Sequence, residues 1–235
     1  MVFQFKQFTV DQSGCAMKIN TDGVLLGGMS AAEAPQTILD IGTGTGVIAL
    51  MLAQRYPSAQ IDAVEIDEAA AQTAGRNFEA SSFSDRLAVH AMGFENYFDR
   101  FPERKYDLIV SNPPFYIDSL KSPGEKKTLA KHTDAGFFEK LLTSIAAHLS
   151  LLGKCWLILP GNIADLVLIL GENLNIFPQK IIRVQSYESS KAHRKILSLD
   201  FNRLSPEIGK FIIYDVIGVY SKEYKQLLDP FFIAL

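Results

Sequence analysis

A glycine-rich loop between an apolar strand and a helix constrains the fold of this chain more than any other feature. The strand covers Thr37–Ile41, the loop reads Gly42-Thr43-Gly44-Thr45-Gly46, and an amphipathic helix over residues 47–56 ends before Pro57. Glycine lets a backbone turn sharply and approach a ligand where a Cβ would obstruct it. A second apolar strand, Gln60–Glu65, follows. This order predicts a right-handed βαβ unit with parallel strands.

The alternation of strands and helices continues beyond this unit. A helix over residues 68–80 follows, and a longer one is predicted over residues 137–152, where Gly153 is expected to end it. After Pro160 we predict strands joined by polar turns, with no helix before a closing one over residues 221–228 that Ser221 caps. The further strands are Leu87–Ala91, Tyr106–Ser111, 155–159, 181–184, 196–202 and 211–214. We therefore predict an α/β fold: a mostly parallel seven-stranded sheet with an antiparallel edge and helices on both faces.

No repeat or linker divides the sequence, so residues 1–235 are predicted to form one domain. Residues 1–36 hold a hairpin-like segment and a helix beginning near Thr21, an extension expected to pack on the cofactor site. The composition, 48% apolar and 21% charged, is that of an ordinary globular domain. No apolar run spans a bilayer, and no signal peptide is recognised. Cys15 and Cys155 are far apart, which predicts free thiols, no metal site and a cytoplasmic protein.

Two carboxylates flank the glycine loop and indicate what it binds. Dinucleotide sites use the spacing Gly-x-Gly-x-x-Gly, whereas Gly42, Gly44 and Gly46 follow Gly-x-Gly-x-Gly. A carboxylate at Asp40 suits an ammonium or a sulfonium better than a phosphate. Glu65, 19 residues after Gly46, can accept hydrogen bonds from both hydroxyls of a ribose. These features favour S-adenosylmethionine over NAD as the cofactor.

Two further segments are predicted to complete the cofactor site. The adenine ring is expected between Ile66 and the loop after Ala91, and because no acid occurs there before Glu95, the contact to the adenine amine stays open. Thr21 and Asp22 have two compatible interpretations. In one, Thr21 caps a helix and the negative charge of Asp22 interacts favourably with the positive N-terminal end of the helix dipole. In the other, the pair lies at the methionine end of the cofactor, near Asp40.

The segment Asn112-Pro113-Pro114-Phe115 gives the strongest indication of chemistry. It follows the strand Tyr106–Ser111, and two prolines stop a strand because each fixes φ and lacks a backbone donor. Asn112 and the Pro113 carbonyl can accept hydrogen bonds from a planar amino group, while Phe115 covers the ring that carries it. These acceptors would favour the positive charge that develops on an amine during methylation. Asn112 can also be explained as a turn-former.

Charge is divided unevenly along the chain. Residues 1–100 hold 6 Lys and Arg against 12 Asp and Glu, and residues 101–235 hold 17 against 14. The basic half favours contact with a polyanion, although scattered surface charge explains the same counts. The candidates for such contacts are Lys126, Lys127, Lys131, His132 and Arg194. In the functional interpretation, the lysines clamp phosphates, the histidine contacts the substrate and the arginine grips an RNA stem. In the alternative, the lysines belong to a solvated loop and the histidine caps a helix.

Together these motifs resemble one family, the tRNA1(Val) N6-adenine methyltransferases, in the wider class of small Asn-Pro-Pro-Phe methyltransferases. The resemblance implies a Rossmann-like class I methyltransferase fold, S-adenosylmethionine as cofactor and methylation of N6 of adenosine 37 in a valine tRNA; we also expect a monomer. The matching segments are Lys18-x-x-Thr21-Asp22-Gly23-Val24-Leu25-Leu26-Gly27, Asp40-Ile41-Gly42-Thr43-Gly44-x-Gly46, Glu65-Ile66-Asp67, Asn112-Pro113-Pro114-Phe115, Ala130-Lys131-His132 and Lys191-Ala192-His193-Arg194.

Other functions remain open from the residues alone. Methylation of a protein glutamine, or of guanine N2 in ribosomal RNA, suits the same amine pocket. Phe115 in place of a tyrosine, the basic second half and the lack of a separate recognition domain favour tRNA. A non-catalytic cofactor-binding module is disfavoured because the predicted amine pocket is complete.

Overall fold

An N-terminal hairpin contacts the segment that follows the last helix. The computed structural model of the protein describes residues 2–114 and 126–234, with only the backbone of residues 126–135. Strands β1 (Val2–Gln4) and β2 (Thr9–Asp11) form the hairpin, and Phe5 bridges to Phe232. The Lys6 N–H donates to the carbonyl of Phe231 at 2.7 Å. Residues 231 and 232 therefore anchor the N-terminal hairpin through backbone hydrogen bonds.

In the described chain, eight strands form the central sheet: β3 (Thr37–Ile41), β4 (Gln60–Glu65), β5 (Leu87–Ala91), β6 (Tyr106–Ser111), β7 (Leu149–Leu159), β8 (Phe177–Gln185), β9 (Arg194–Asp200) and β10 (Glu207–Ile212). Their order is β10-β8-β9-β7-β6-β3-β4-β5. The last five of that order run parallel, β9 is antiparallel to both neighbours, and β10 is parallel to β8. The predicted α/β fold is confirmed, with one strand more than the seven expected.

Helices cover both faces of the sheet, as predicted. Ile38 and Leu39 are neighbours in β3 but enter two different hydrophobic clusters, because successive side chains of a strand point to opposite faces. The first cluster includes α1 (Thr21–Met29), α2 (Val47–Arg55), α3 (Glu68–Glu79) and α7 (Lys222–Leu228). The second includes α4 (Phe94–Arg100), α5 (Lys126–His148) and α6 (Gly161–Asn173). A ribbon of β11 (Tyr214–Val216) and β12 (Val219–Tyr220) precedes α7.

Polar side chains cap the N-termini of α1, α3 and α7, and a cap was predicted for α1 and for α7. Asn20 accepts from the Gly23 N–H at 2.9 Å and starts α1, so the prediction that Thr21 caps this helix was wrong by one residue. Ser221 accepts from the Tyr224 N–H at 3.0 Å, which confirms it as the cap of α7. Such caps satisfy backbone donors that the helix itself cannot pair.

The helices differ from the prediction in three places, at the end of α5 and in the presence of α4 and α6. The long helix α5 ends at His148, and Gly153 lies inside β7. A Cβ on Gly153 would lie 2.8 Å from the carbonyl oxygen of Tyr106 in β6, so the glycine is needed for close strand pairing and not for a helix end. Helices α4 and α6 were not predicted; the apolar run in α6 leaves no clear helical period.

No helix in the part of the chain that the structure describes is long and apolar enough to cross a membrane.

Replacing Gly153 with alanine should destabilise the protein by about 1–3 kcal/mol, because the new Cβ would press on backbone that cannot move aside cheaply. Urea unfolding would measure the change. Gly136→Ala in α5 is the matched control: a Cβ there meets no described atom within 4 Å. The control should be neutral or stabilise by up to about 1 kcal/mol. Equal midpoints for the two variants would contradict the assigned role of Gly153.

Candidate active site

A cavity of about 440 Å³ opens at the carboxyl edge of β3, β4 and β6. Ligands of open α/β sheets bind at this edge, and a volume in the range of roughly 300–1,000 Å³ is usual for a small-molecule site. The wall combines the segment before α1, the glycine loop, the ends of three strands and one side chain of α5. It is lined by residues 15–20, Gly23, 41–45, Val47, Ile48, 64–67, Ala70, 92–95, 111–114 and Phe137.

The three glycines of the loop adopt the left-handed conformation, with φ of 75° at Gly42, 57° at Gly44 and 82° at Gly46. Other residues adopt this conformation only with strain. A Cβ on Gly46 would lie 2.5 Å from a ring carbon of Phe78, so close packing against α3 also requires this glycine. Gly42 and Gly44 line the cavity, and a Cβ there would meet no described atom within 4 Å. The space in front of them is open to a ligand.

The Glu65 carboxylate is fixed at the end of β4 by two backbone donors. One oxygen accepts from the Gly44 N–H and the other from the Asp67 N–H, each at 2.9 Å. Each carboxylate oxygen can accept a second hydrogen bond. Glu65 also lines the cavity, which is the arrangement that its predicted role toward the two ribose hydroxyls requires.

Asp40 lies behind the cavity wall. It is fully buried, and one oxygen accepts from the Thr43 hydroxyl at 2.6 Å, while the other has no hydrogen-bond partner among the described atoms. Burial raises the pKa of Asp40 to about 7. Its neighbours Ile41 and Gly42 do line the cavity. Asp40 therefore lies directly behind residues of the cavity wall, and its predicted interaction with a cationic cofactor stays a prediction.

Apolar side chains form the end of the cavity where the adenine ring is predicted. Ile66 is 80% exposed and lies against Gly93, where an added Cβ would be 3.5 Å from it. Met92 and Phe94 continue this wall, and the ring of Phe137 meets that of Phe94 edge-on at 5.7 Å. The two phenylalanines were not identified from the sequence, because they lie far apart in the chain and meet only in the fold.

Residues 15–20, here called the strap, connect β2 to α1 and line the cavity. The buried side chain of Gln12 accepts from the Ile19 N–H at 2.9 Å, and the Thr73 hydroxyl donates to the Ser13 carbonyl at 2.7 Å. The strap is therefore held at both ends. Only Lys18 had a sequence signal, as the first residue of a matching motif; the rest of the strap was missed.

Thr21, Asp22 and Arg194 do not line the cavity, and their predicted contacts to cofactor and RNA stay predictions. Neither Thr21 nor Asp22 lines the cavity, whereas Asn20 and Gly23 on either side do. Asp22 instead accepts a hydrogen bond from Nε of Arg194 at 2.7 Å, and both side chains are largely buried. Arg194, predicted to grip RNA, is thus engaged in an ion pair that joins α1 to β9.

The predicted amine-binding residues open into the same cavity. The Ser111 hydroxyl donates to the carbonyl of Ile41 at 2.8 Å and ties the end of β6 to β3. Asn112, Pro113 and Pro114 follow and line the wall next to the glycine loop. Hydrogen-bond acceptors for an amino group therefore lie beside the site predicted for a cofactor.

Several predicted contacts fall outside the part that the structure describes. Phe115 lies outside the described residues. The side chains of Lys126, Lys127, Lys131 and His132 do as well, although α5 includes their positions. Their contacts to RNA or to a base stay predictions. Among the described residues, no three or more His, Cys, Asp or Glu side chains are grouped to hold a metal ion.

Comparisons with known proteins agree with this arrangement. The model of the methyltransferase small domain family matches residues 19–159. The tRNA1(Val) (adenine(37)-N6)-methyltransferase of Pedobacter heparinus is 48% identical over 236 residues, covering 99% of this chain and 98% of that protein. Its counterpart from Christiangramia forsetii is 41% identical over 235 residues, covering 99% and 98%. A solved structure described as a predicted O-methyltransferase from Agrobacterium tumefaciens has a TM-score of 0.68 at 16% identity, covering 89% and 96%.

The sheet, the glycine loop and the cavity at the ends of the parallel strands define a class I methyltransferase. The family model covers more than half of the chain, and the two relatives match nearly all of it. The chain belongs to the family of the tRNA1(Val) (adenine(37)-N6)-methyltransferases.

Replacing Glu65 with alanine should weaken S-adenosylmethionine binding by about 1.5–3 kcal/mol, because both predicted ribose acceptors are lost. Calorimetry on the folded variant measures the change, and Glu65→Gln, which keeps one oxygen acceptor, should lose less. Glu68→Ala is the matched control, since Glu68 carries the same charge on the exposed side of α3. Unchanged affinity in Glu65→Ala would refute this role.

The affinity for S-adenosylmethionine should fall as the pH is lowered through about 7. A carboxyl with its pKa raised to about 7 takes up a proton below that pH and then no longer attracts a cation. The bound cation favours the ionised form, so binding releases a proton, and the affinity can fall by up to about tenfold per pH unit. Asp40→Asn should remove this part of the dependence; an unchanged pH profile in that variant would contradict it.

Proposed function

We propose that the protein transfers the methyl group of S-adenosylmethionine to N6 of adenosine 37 in tRNA1(Val). The observation that carries the proposal is that Asn112 and Pro113 open into the same cavity as Gly42, Gly44 and Glu65. An amine acceptor site and a nucleoside site thus share one enclosed space. The two relatives named for this activity match the chain nearly end to end, which supports the choice of substrate.

The residues of the cavity fit the proposed cofactor. Glu65 receives the ribose hydroxyls, Ile66 and Gly93 bound the adenine, and the open face of Gly44 lets the backbone approach the ligand. Asp40 balances the positive charge from behind the loop. When bound, S-adenosylmethionine supplies a methyl group on a positively charged sulfur, from which an amine can displace it.

The proposed catalysis rests on positioning the target amine. The amine of adenine is a weak nucleophile because its lone pair is delocalised into the ring. The Asn112 side-chain oxygen and the Pro113 carbonyl accept its two N–H groups, and these bonds strengthen as the nitrogen becomes positive, which stabilises the transition state. Phe115 is proposed to stack on the extruded base. Once methylated, the nitrogen loses its proton to water, so the main requirement is alignment.

Other enzyme activities remain outcomes of the assay. Guanine N2 and glutamine N5 carry planar amino groups that the same acceptors could bind, but both relatives compared above are named for adenine N6. We further propose that residues 1–235 act as one monomeric domain in the cytoplasm. One hydrophobic cluster joins the N-terminal hairpin, the sheet and α7, which supports a single domain.

Methyl transfer from labelled cofactor tests the proposal. Transfer is expected to a tRNA1(Val) transcript and to be lost when adenosine 37 is replaced by guanosine. Ribosomal RNA and a release factor in parallel reactions test the two other activities. Transfer to either of these with none to the tRNA would overturn the proposed substrate.

The variant Asn112→Ala should reduce turnover by about 100-fold or more while cofactor affinity is retained, because the lost interaction grows only as the amine becomes cationic. Steady-state kinetics and calorimetry provide the two measurements. Asn173→Ala is the matched control, since Asn173 is exposed at the end of α6. Near-normal turnover in Asn112→Ala would refute the mechanism.

A further inference from the structure

The loop between β8 and β9, residues 186–193, lies at the same edge of the sheet as the cavity. Strand β9 is antiparallel to both β7 and β8, so β8 ends where β7 ends, and Lys195 pairs with Leu159 at that edge. Arg194 starts β9 and binds Asp22 in the first turn of α1. Only β7 separates β9 from β6, which Asn112 follows, so the loop lies on the β6 side of the cavity edge, and the ion pair ties it to α1.

The loop is preformed by its own hydrogen bonds. The Ser190 hydroxyl donates to the Tyr187 carbonyl at 2.8 Å and accepts from the Tyr187 N–H at 2.9 Å. The His193 N–H donates to the carbonyl of Val184 at 3.0 Å. The ring of Tyr187 packs at 5.6 Å on that of Tyr214, next to the β11–β12 ribbon. A surface built in this way loses little conformational entropy when it binds a partner.

Two side chains at the end of the loop are exposed and of a kind that binds RNA. Lys191 and His193 are both exposed, and no described carboxylate pairs with Lys191. The loop's acidic residue, Glu188, is paired with Lys210. Partial desolvation of the exposed ring, together with the neighbouring Arg194, lowers the pKa of His193, which favours the neutral form of the ring. A neutral imidazole can stack on a base, whereas an ammonium suits a phosphate.

Resting on the proposed function, we propose that residues 186–193 form a contact surface for the single-stranded loop of the substrate RNA. Lys191 binds a backbone phosphate, and the ring of His193 stacks on a nucleotide next to the one that enters the cavity. Arg194 is a positioning residue: its ion pair with Asp22 holds the loop against α1. The chemistry recognised is an unpaired nucleotide with its phosphate.

Fluorescence anisotropy with the anticodon stem-loop of tRNA1(Val), over a range of salt concentrations, tests the two contacts. Lys191→Ala should lower the slope of log affinity against log salt by roughly 0.7–0.9. His193→Ala should weaken binding by about 5- to 150-fold and leave the slope unchanged. In both variants, KM for the RNA should rise while turnover at saturating RNA is retained, because neither residue touches the reacting atoms.

Lys180→Ala is the matched control for charge. Lys180 is a half-buried lysine of β8 that pairs with Glu207 of β10, about 20 Å along the strand from the start of the loop. It should leave the affinity and the salt slope near those of the wild type. If Lys191→Ala and His193→Ala behave like this control, the loop is not the RNA surface.

The positioning role is tested by exchanging the charges. Arg194→Ala should weaken RNA binding, and the double variant Asp22→Arg with Arg194→Asp should restore both the affinity and the wild-type salt slope. A slope that stays reduced in the exchanged pair would show that Arg194 meets a phosphate itself and would overturn its positioning role. The exposed Lys191 and His193 variants keep the surface testable if the exchanged pair fails to fold.

Methyl transfer by the wild-type protein to the same stem-loop separates the two proposals. If the wild type methylates this RNA and the loop variants bind it as tightly as Lys180→Ala does, the loop assignment fails and the proposed function stands. If the wild type transfers no methyl group to this RNA or to the full tRNA, the proposed function fails and the loop assignment with it.

Discussion

The register of β3 against its two neighbours is the constraint on which the site depends. Ile41 pairs with Val64 of β4 and with Ser111 of β6, so the three strands end at one level. The glycine loop, Glu65 and Asn112 come directly after these pairs and therefore meet at one edge. A shift of one residue in either pairing would turn every side chain of that strand to the opposite face and separate the two binding functions.

The strand order assigns the two proposed ligands to two halves of the sheet. The proposed cofactor contacts come mainly from the ends of β3, β4 and β5, whose parallel pairs belong to consecutive strand–helix units. The proposed RNA contacts come from the other side of β6, where β9 reverses direction between β7 and β8. Because of that reversal, the loop of residues 186–193 lies at the carboxyl edge of the parallel strands. In a fully parallel sheet, only turns from a strand into a helix would lie at this edge. Asn112 lies at the boundary between the halves.

Features specified by neighbouring residues could be predicted from the sequence, and features specified by distant contacts could not. The glycine loop, the acidic end of β4 and the Asn-Pro-Pro stop are local patterns with one dominant structural meaning. Gly153 was misread because a glycine after a helix is usually a cap, whereas here the Tyr106 carbonyl of another strand requires it. The pair Asp22 and Arg194 joins residues 172 apart, for which a single sequence has no signal. The strap and α6 likewise acquire their roles only through packing.

The meeting of the two chain ends has a consequence for biosynthesis. Strands β3 to β6 can pair as soon as residue 111 has left the ribosome, but Phe5 and Lys6 find Phe232 and Phe231 only after those last partners have been added. The strap follows directly from this hairpin, through Gln12. During translation the strands that carry the glycine loop can therefore pair before the C-terminal contacts of this hairpin exist. The hairpin gains those contacts only when residues 231 and 232 have been made.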